Sequence, residues 1–234
     1  MRNIETCVSP TLLQHHSIEG KIVVVVDILR ASSSIITALA HGVSRIIPVA
    51  HLDECIRYRE QGFLVAAERN GQKQEGFDFG NSPFEFMSET LTGASMALTT
   101  TNGTASITKS VHAYKVVVGG FLNLMALARF VLLEDHDLMI VCAGWKGKVN
   151  LEDTLFAGAL IDSLLKTHKF DSDASHLAWL AYRKVTDLYD YILEHSSHAQ
   201  RLAGQKNQED IRFCLTRDTY DIIPELSGKF LVKK

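Results

Sequence analysis

Proline is scarce in this chain, 4 residues in 234, and cysteine is equally scarce, with 4. So few prolines leave no room for a polyproline linker. Cys7, Cys55, Cys142 and Cys214 lie far apart and form no C-x-x-C pair. That pattern excludes a disulfide framework and a Cys-pair zinc motif, and it leads us to expect reduced thiols in a cytoplasmic protein. No basic stripe is present: 24 Lys and Arg face 27 Asp and Glu, for a formal net charge of −3. Nucleic acid is therefore not an expected partner. No apolar run approaches the roughly 18 residues needed to span a bilayer, and the opening MRNIETCVSP has no apolar signal core. Neither a membrane nor secretion is expected. A P-loop and a G-x-G-x-x-G turn are also missing. Without an internal repeat, a low-complexity stretch or a linker, the chain reads as one domain over 1–234, strand-rich in 1–150 and helix-rich in 151–234. With 46% hydrophobic residues it can bury a sizeable core.

What the chain does have is organised around VVVVDILRASSS, residues 23–34. A continuous β-branched run reads as a strand buried on both faces. It stops abruptly at Asp27, Arg30 and Ser32 to Ser34. There Ser32 or Ser33 should cap a helix that Gly42 ends. Strands are expected at 21–27, 45–50, 63–67, 96–101, 115–119 and 137–143, with an opening strand within 1–20 and a short return in 215–234. Helices are expected at 33–41, 52–61, 103–112, 123–133, 151–167, 173–194 and about 196–214. The alternation predicts an α/β fold, three-layer α/β/α with a largely parallel or mixed central sheet. Segment 68–95 breaks the rhythm and is too long for a routine connection.

Polar, glycine-rich clusters follow the strands. After 63–67 come Glu68, Arg69 and Gly71, then Asp78, Gly80, Asn81 and Ser82. After 96–101 come Thr101, Asn102, Gly103 and Thr104, and after 137–143 the loop runs to Glu152 and Asp153 at a helix start. In open α/β sheets ligands bind at the carboxyl ends of the strands. Parallel strands would bring these clusters to one edge. The groups sort into two sets. Asp27, Glu68, Asp78, Glu152 and Asp153 are hard oxygen ligands of the kind Mg²⁺ takes, together with water and phosphate oxygens. Arg30, Arg69, Ser32, Ser33, Asn81, Ser82, Thr101, Asn102, Gly103 and Thr104 offer donors to an anion. A metal beside an anion cradle is the equipment of phosphoryl chemistry. Each group also has a plainer use: Glu152 and Asp153 favour a helix dipole, Asn102-Gly103 makes a turn, and Asp27 caps one.

Two phosphatase classes can be tested on these positions. An aspartyl-phosphate enzyme of the haloacid dehalogenase type needs a second Asp two places after Asp27, where Leu29 stands. A cysteine phosphatase needs an Arg six places after its Cys. After Cys142 that place holds Lys148, a point charge that cannot grip phosphate bidentately. A packed core thiol is the expectation for Cys142. Among ten histidines, His198 is the best functional candidate, and even for it a surface or capping role is the leading expectation.

Taken together, DILRASSS, AERNG, EGFDFGNSP, TTTNGT, CAG and LED, in this order and spacing, resemble the ComB-like 2-phosphosulfolactate phosphatases. The likeness extends from about residue 20 to Pro224 and includes a weaker C-terminal run with His198, Leu202, Asp210, Ile211, Phe213 and Cys214. Departures are mild: Ser32 to Ser34 stand where the family often has Thr, and Ala67 stands where it often has Gly. The resemblance implies an α/β/α fold, Mg²⁺, and hydrolysis of phosphosulfolactate to sulfolactate and phosphate on the coenzyme M route. Among the matching positions, the catalytic candidates are Asp27, Arg30, Glu68 and Arg69, and the metal candidates are Asp27, Asp78, Glu152 and Asp153. Arg30, Arg69, Lys146 and Lys148 could meet a small substrate that carries phosphate, sulfonate and carboxylate. Phosphatase action on another phosphorylated hydroxy acid, or simple binding of an anionic metabolite, stays open at this point. So does a homo-oligomer.

Overall fold

A computed structural model describes residues 1–205 and 207–234. Its centre is the valine run. In β2 (Ile22–Val26) every side chain is buried. Ile22, Val24 and Val26 join one core, and Val23 and Val25 join another. Alternation along a strand sends neighbours to opposite faces, so a strand apolar at every position needs cover on both. At about 1.5–3 kcal/mol for each large apolar side chain buried, this one strand anchors both cores.

β2 pairs in parallel with β7 (Lys115–Gly119) and β8 (Leu138–Cys142). β8 pairs in parallel with β1 (Arg2–Cys7), and β1 with β9 (His168–Phe170). A second parallel group joins β3 (Arg45–Pro48), β6 (Ser95–Thr99) and β4 (Leu64–Arg69), with β5 (Gln72–Lys73) antiparallel at the edge. The two groups meet through the antiparallel hairpin of β10 (Pro224–Ser227) and β11 (Phe230–Lys233), β10 on β7 and β11 on β3. Among the described residues the result is one mixed sheet of 11 strands in the order β5-β4-β6-β3-β11-β10-β7-β2-β8-β1-β9.

Three antiparallel steps separate β3 from β7, so the two groups run in opposite directions. A flat sheet of this order would put their carboxyl ends on opposite edges. The sheet instead curls around α1 (Ala31–Ala40). Ile35, Ile36 and Leu39 of that helix share one core with Val23, Val25, Val116 and Val118 from one group and with Ile46, Met96, Leu98 and Ala66 from the other. Strand twist accumulated over many strands makes such curling natural. The outer face of the β2 group is covered by α4 (Leu124–Leu133) and α5 (Leu151–Leu164) and by the C-terminal helices. α2 (Leu52–Arg57) and the following turn cover β4 and β6 on the far side. Helices thus lie on both faces of a central mixed sheet, as the sequence leads one to expect.

The helices expected to end at 112 and 167 stop at Lys109 and Leu164, the strands at Gln72–Lys73 and His168–Phe170 were not expected, and three further helix boundaries differ. α1 begins at Ala31, before the serines, because Asp27 does the capping: its backbone oxygen accepts from Ser32 N–H at 2.8 Å and its carboxylate from Ala31 N–H at 3.4 Å. The helix expected over 173–194 is two, α6 (Asp173–Arg183) and α7 (Leu188–His195), with Asp187 capping the second at 2.8 Å. The helix expected over 196–214 is likewise two, α8 (Ser197–Gly204) and α9 (Gln208–Cys214), and Lys206 lies outside the described residues. α3 spans Gly103–Lys109. The opening strand is β1, and the return in 215–234 is the β10–β11 hairpin.

Candidate active site

The clusters converge despite the opposed strand groups. A cleft of about 330 Å³, part of it open to solvent, is lined by Asp27, Leu29 and Arg30 after β2, Glu68 and Gly71 at the β4–β5 turn, and Asn81. Thr101 and Asn102 after β6, Trp145 after β8, and His198, Arg201 and Leu202 on α8 complete it.

Three acids crowd this region and are held in different ways. Asp27 is almost wholly buried at the head of α1. Burial pushes its pKa up to about 6, with Glu68 and Glu152 adding repulsion and His198 opposing them. Gly103 makes room for it: a Cβ there would lie 2.8 Å from Asp27 Oδ2 and 2.6 Å from Ala31 Cβ. Glu68 accepts from the Gly71 N–H and, at 3.2 Å, from the Thr101 hydroxyl. Glu152 is fully buried at the start of α5 and accepts from Ser196 Oγ at 2.8 Å. Its other oxygen faces His198 Nδ1 at 2.7 Å, so the opposite ring nitrogen is on the cleft side. Ser196 also caps α8, accepting from Ala199 N–H at 3.1 Å. Glu152 therefore fixes both the ring and the helix that carries it.

Arg30 is a buried cation with a committed partner. Its guanidinium pairs with Asp210 of α9 and donates to the Gly71 carbonyl at 3.0 Å. Asp210 accepts in turn from Ser82 Oγ at 2.8 Å. Such a pair is costly to break, about 3–5 kcal/mol, because the survivor would be an uncompensated buried charge.

The remaining sequence candidates divide. Asp27, Arg30, Glu68, Asn81, Thr101 and Asn102 line the cleft. Ser82 reaches it through Asp210, and Gly103 through its contact with Asp27. The structure does not bring Asp78 there. That carboxylate accepts from Val65 N–H at 2.9 Å and from Arg59 at 2.8 Å, because residues 78–79 run back along β4. Asp153 is buried beside the site, but both of its oxygens serve backbone: Ile28 N–H at 2.9 Å and Gly144 N–H at 3.0 Å. Burial, Glu152 and Asp27 push its pKa well up. Arg69 points away from the cleft, donating to its neighbour's carbonyl at 2.6 Å and to Thr99 Oγ1 at 2.9 Å. Ser32 Oγ accepts from Asp27 N–H at 2.8 Å, Ser33 Oγ donates to the Ile28 carbonyl at 2.9 Å, and Thr104 bonds Thr100, so these hydroxyls shape the turn. Lys148 is exposed, while Lys146 lies over the Trp145 ring. Cys142 is fully buried, and burial drives its thiol pKa well up.

Sequence reasoning missed Trp145 and Arg201. His198, Arg201 and Leu202 do carry a signal, spaced i, i+3 and i+4 so that they share one helix face.

Among the described residues, no group of three or more His, Cys, Asp or Glu side chains is arranged to hold a metal ion. Hard oxygens nonetheless meet at the cleft: the Asp27 and Glu68 carboxylates, and Asn81 Oδ1, which is buried without a hydrogen-bond partner. Mg²⁺ asks for one or two carboxylates and fills its remaining positions with water and phosphate oxygens. This donor set fits it, and with no cysteine and a single committed histidine it does not suit zinc.

A family model described as 2-phosphosulpholactate phosphatase matches residues 7–229. A protein of Thermotoga maritima is 39% identical over 218 residues, covering 93% of this chain and 94% of its own length. One from Caldanaerobacter subterraneus subsp. tengcongensis is 41% identical over 224 residues, 92% of each chain. One from Clostridium novyi is 33% identical over 226 residues, 95% of this chain and 96% of its own. All three are named as a probable 2-phosphosulfolactate phosphatase.

Proposed function

The chain belongs to the 2-phosphosulfolactate phosphatase family, a family of phosphoric monoester hydrolases, and on that premise we propose that it hydrolyses 2-phosphosulfolactate to 3-sulfolactate and phosphate with Mg²⁺. One observation carries the reading. A single cleft gathers two carboxylates, an orphaned amide oxygen, a histidine gripped by a glutamate, and two guanidinium groups. Asp27, Glu68 and Asn81 would hold the Mg²⁺, and the metal would offset charge on the phosphate. Asp27 and Glu68 repel a phosphate dianion unless a cation lies between them, which is the physical reason to place one there.

The chain's own groups do the rest. Arg30 donates toward the phosphoryl oxygens from a position locked by Asp210. His198, oriented through Nδ1 by Glu152, holds a proton at Nε2 for the ester oxygen. Water adds to phosphorus as the bond to that oxygen breaks. The leaving oxygen takes the Nε2 proton, one water proton replaces it on His198, and the other stays on phosphate. Asp210 and Glu152 act by positioning. The family setting implies the coenzyme M route, and four free, buried thiols suit the cytoplasm. No helix of the described residues is long and apolar enough to cross a membrane.

The test is phosphate release from 2-phosphosulfolactate, 2-phospholactate and phosphoglycolate, with Mg²⁺ and with excess EDTA. We expect turnover that vanishes in EDTA and returns with Mg²⁺, fastest on the sulfonated ester. Full turnover in EDTA would remove the metal, and preference for another ester would remove the substrate.

A further inference from the structure

Arg201 plays no part in the chemistry above, yet its surroundings are unusual for an arginine. It lines the cleft half-buried, and its Nε is shut off from solvent with no hydrogen-bond partner. Among the described residues it makes no ion pair. Its guanidinium instead lies over the Trp145 ring, 4.3 Å from the centroid, and Lys146 Nζ lies 4.6 Å from the same centroid. Trp145 is also stacked with His198, centroids 6.3 Å apart and planes within 15°. A cation over an aromatic face gains only about 0.5–2 kcal/mol. That offsets only part of the cost of leaving a buried donor on a charged group unpaired, about 1–3 kcal/mol or more. The arrangement is held ready for an anion, not completed by the protein.

The contrast with Arg30 points to an anion other than the phosphate. Arg30 is already neutralised by Asp210, and it sits with Asp27 and Glu68, where a metal and a phosphate belong. Arg201 and Lys146 come from α8 and the β8–α5 loop and bring uncompensated positive charge with a planar fork of donors. Such a fork matches the paired oxygens of a sulfonate or carboxylate.

We propose that Arg201, shelved on Trp145, is the specificity-determining residue that binds the substrate's sulfonate. This rests on the phosphosulfolactate reading. The position is built for it: Glu152 holds Ser196 and His198, and these set the start of α8, one turn before Arg201. Gln205, one turn after it, donates to the Asn70 carbonyl at 3.3 Å and leans the helix on the β4–β5 turn.

The experiment compares 2-phosphosulfolactate with 2-phospholactate, which has a methyl where the former has the methylene sulfonate. Both are assayed with wild type, Arg201→Met, Arg201→Lys and Trp145→Phe, with melting temperatures recorded. Arg201→Met keeps an apolar stem on the indole. It should lower kcat/KM for the sulfonated ester by about 30-fold or more, mainly through KM, and change the methyl ester by less than about threefold. The scale follows from losing one charge-assisted bond. Arg201→Lys should recover part of the loss, and Trp145→Phe should give a smaller loss of the same selectivity. Equal losses on both esters, or unchanged sulfonate preference in Arg201→Met, would overturn the proposal. Calorimetric titration of 3-sulfolactate and lactate into the same proteins separates the two claims. A wild type that prefers neither sulfonated compound sinks the substrate reading itself. A wild type that prefers them, beside an Arg201→Met that still does, sinks only the role of Arg201.

Discussion

At the scale of single residues, Asp27 carries two duties that pull against each other. It caps α1 and it faces the cleft, and burial raises its pKa from the ordinary 3.8 to about 6. The folded chain then keeps a proton between those values, where the unfolded chain has already lost it. Asp27's own contribution to stability without metal is therefore full below pH 4 and is lost as pH rises through 6. Asp27→Asn keeps the cap's oxygen and removes the charge. In EDTA it should melt higher than wild type above pH 6, with the gap closing near pH 4, and calorimetry across that range checks it. A constant gap would locate the effect in packing. Its kcat should fall on the order of a hundredfold or more, as when transition-state electrostatics are lost. Cys142 has the opposite character: buried, with its thiol pKa pushed well up, it is no nucleophile, and Cys142→Ala should keep kcat within severalfold. A drop beyond about a thousandfold in a folded variant would restore a thiolate mechanism. Asp27, Glu68, Thr101 and Asn102 were legible as residues that line the cleft because each sits where a buried strand ends in polar residues. Trp145 and Arg201 were not, since their meeting is made by a loop and a helix far apart in sequence.

At the scale of elements, six strands were legible to within about two residues, because short β-branched runs bounded by turn residues suit a strand buried on both faces, whereas β5 and β9 carry no such run. The C-terminal helices were read too long, because a local cap such as Asp187 breaks a helix that its apolar pattern would continue. The metal expectation for Glu152 and Asp153 came from their place at a helix start, which cannot say what the carboxylates turn toward. Glu152 turns to α8. Glu152→Ala leaves Ser196 and His198 without their acceptor, and a cap contributes about 1 kcal/mol to its helix. Amide exchange over 197–204 should accelerate while β2 and β8 stay protected, and kcat should fall as His198 loses its orienting partner. Unchanged exchange in α8 would show that its packing on α5 suffices without Glu152.

At the scale of the whole molecule, the site exists because two strand groups of opposite direction are bent around α1 until Asp27 and Glu68 face one cleft. The sequence shows most of the strands but not this bend, since the two groups are joined by pairings between residues more than a hundred apart, Glu225 with Val117 and Leu231 with Ile46. The join is narrow: single bridges, Glu225 to Val117 and Leu231 to Ile46, tie the C-terminal hairpin to the two groups. Leu231 is wholly buried in the core that both groups share with α1. Leu231→Ala opens a cavity at that seam and should cost about 2–5 kcal/mol, several degrees of melting temperature for a chain of this length. None of residues 224–233 lines the cleft, so a seam that only supports the fold leaves kcat and KM near wild type at a temperature well below melting. A bend that sets the distance between the groups behaves differently: the cleft relaxes when the seam loosens, and KM rises although no substrate contact has changed. The short bridges and the shared core favour the second outcome. A rise of KM in Leu231→Ala, reversed by Leu231→Ile, is the expected result, and an unchanged KM beside the lowered melting temperature would show that α1 alone holds the curl.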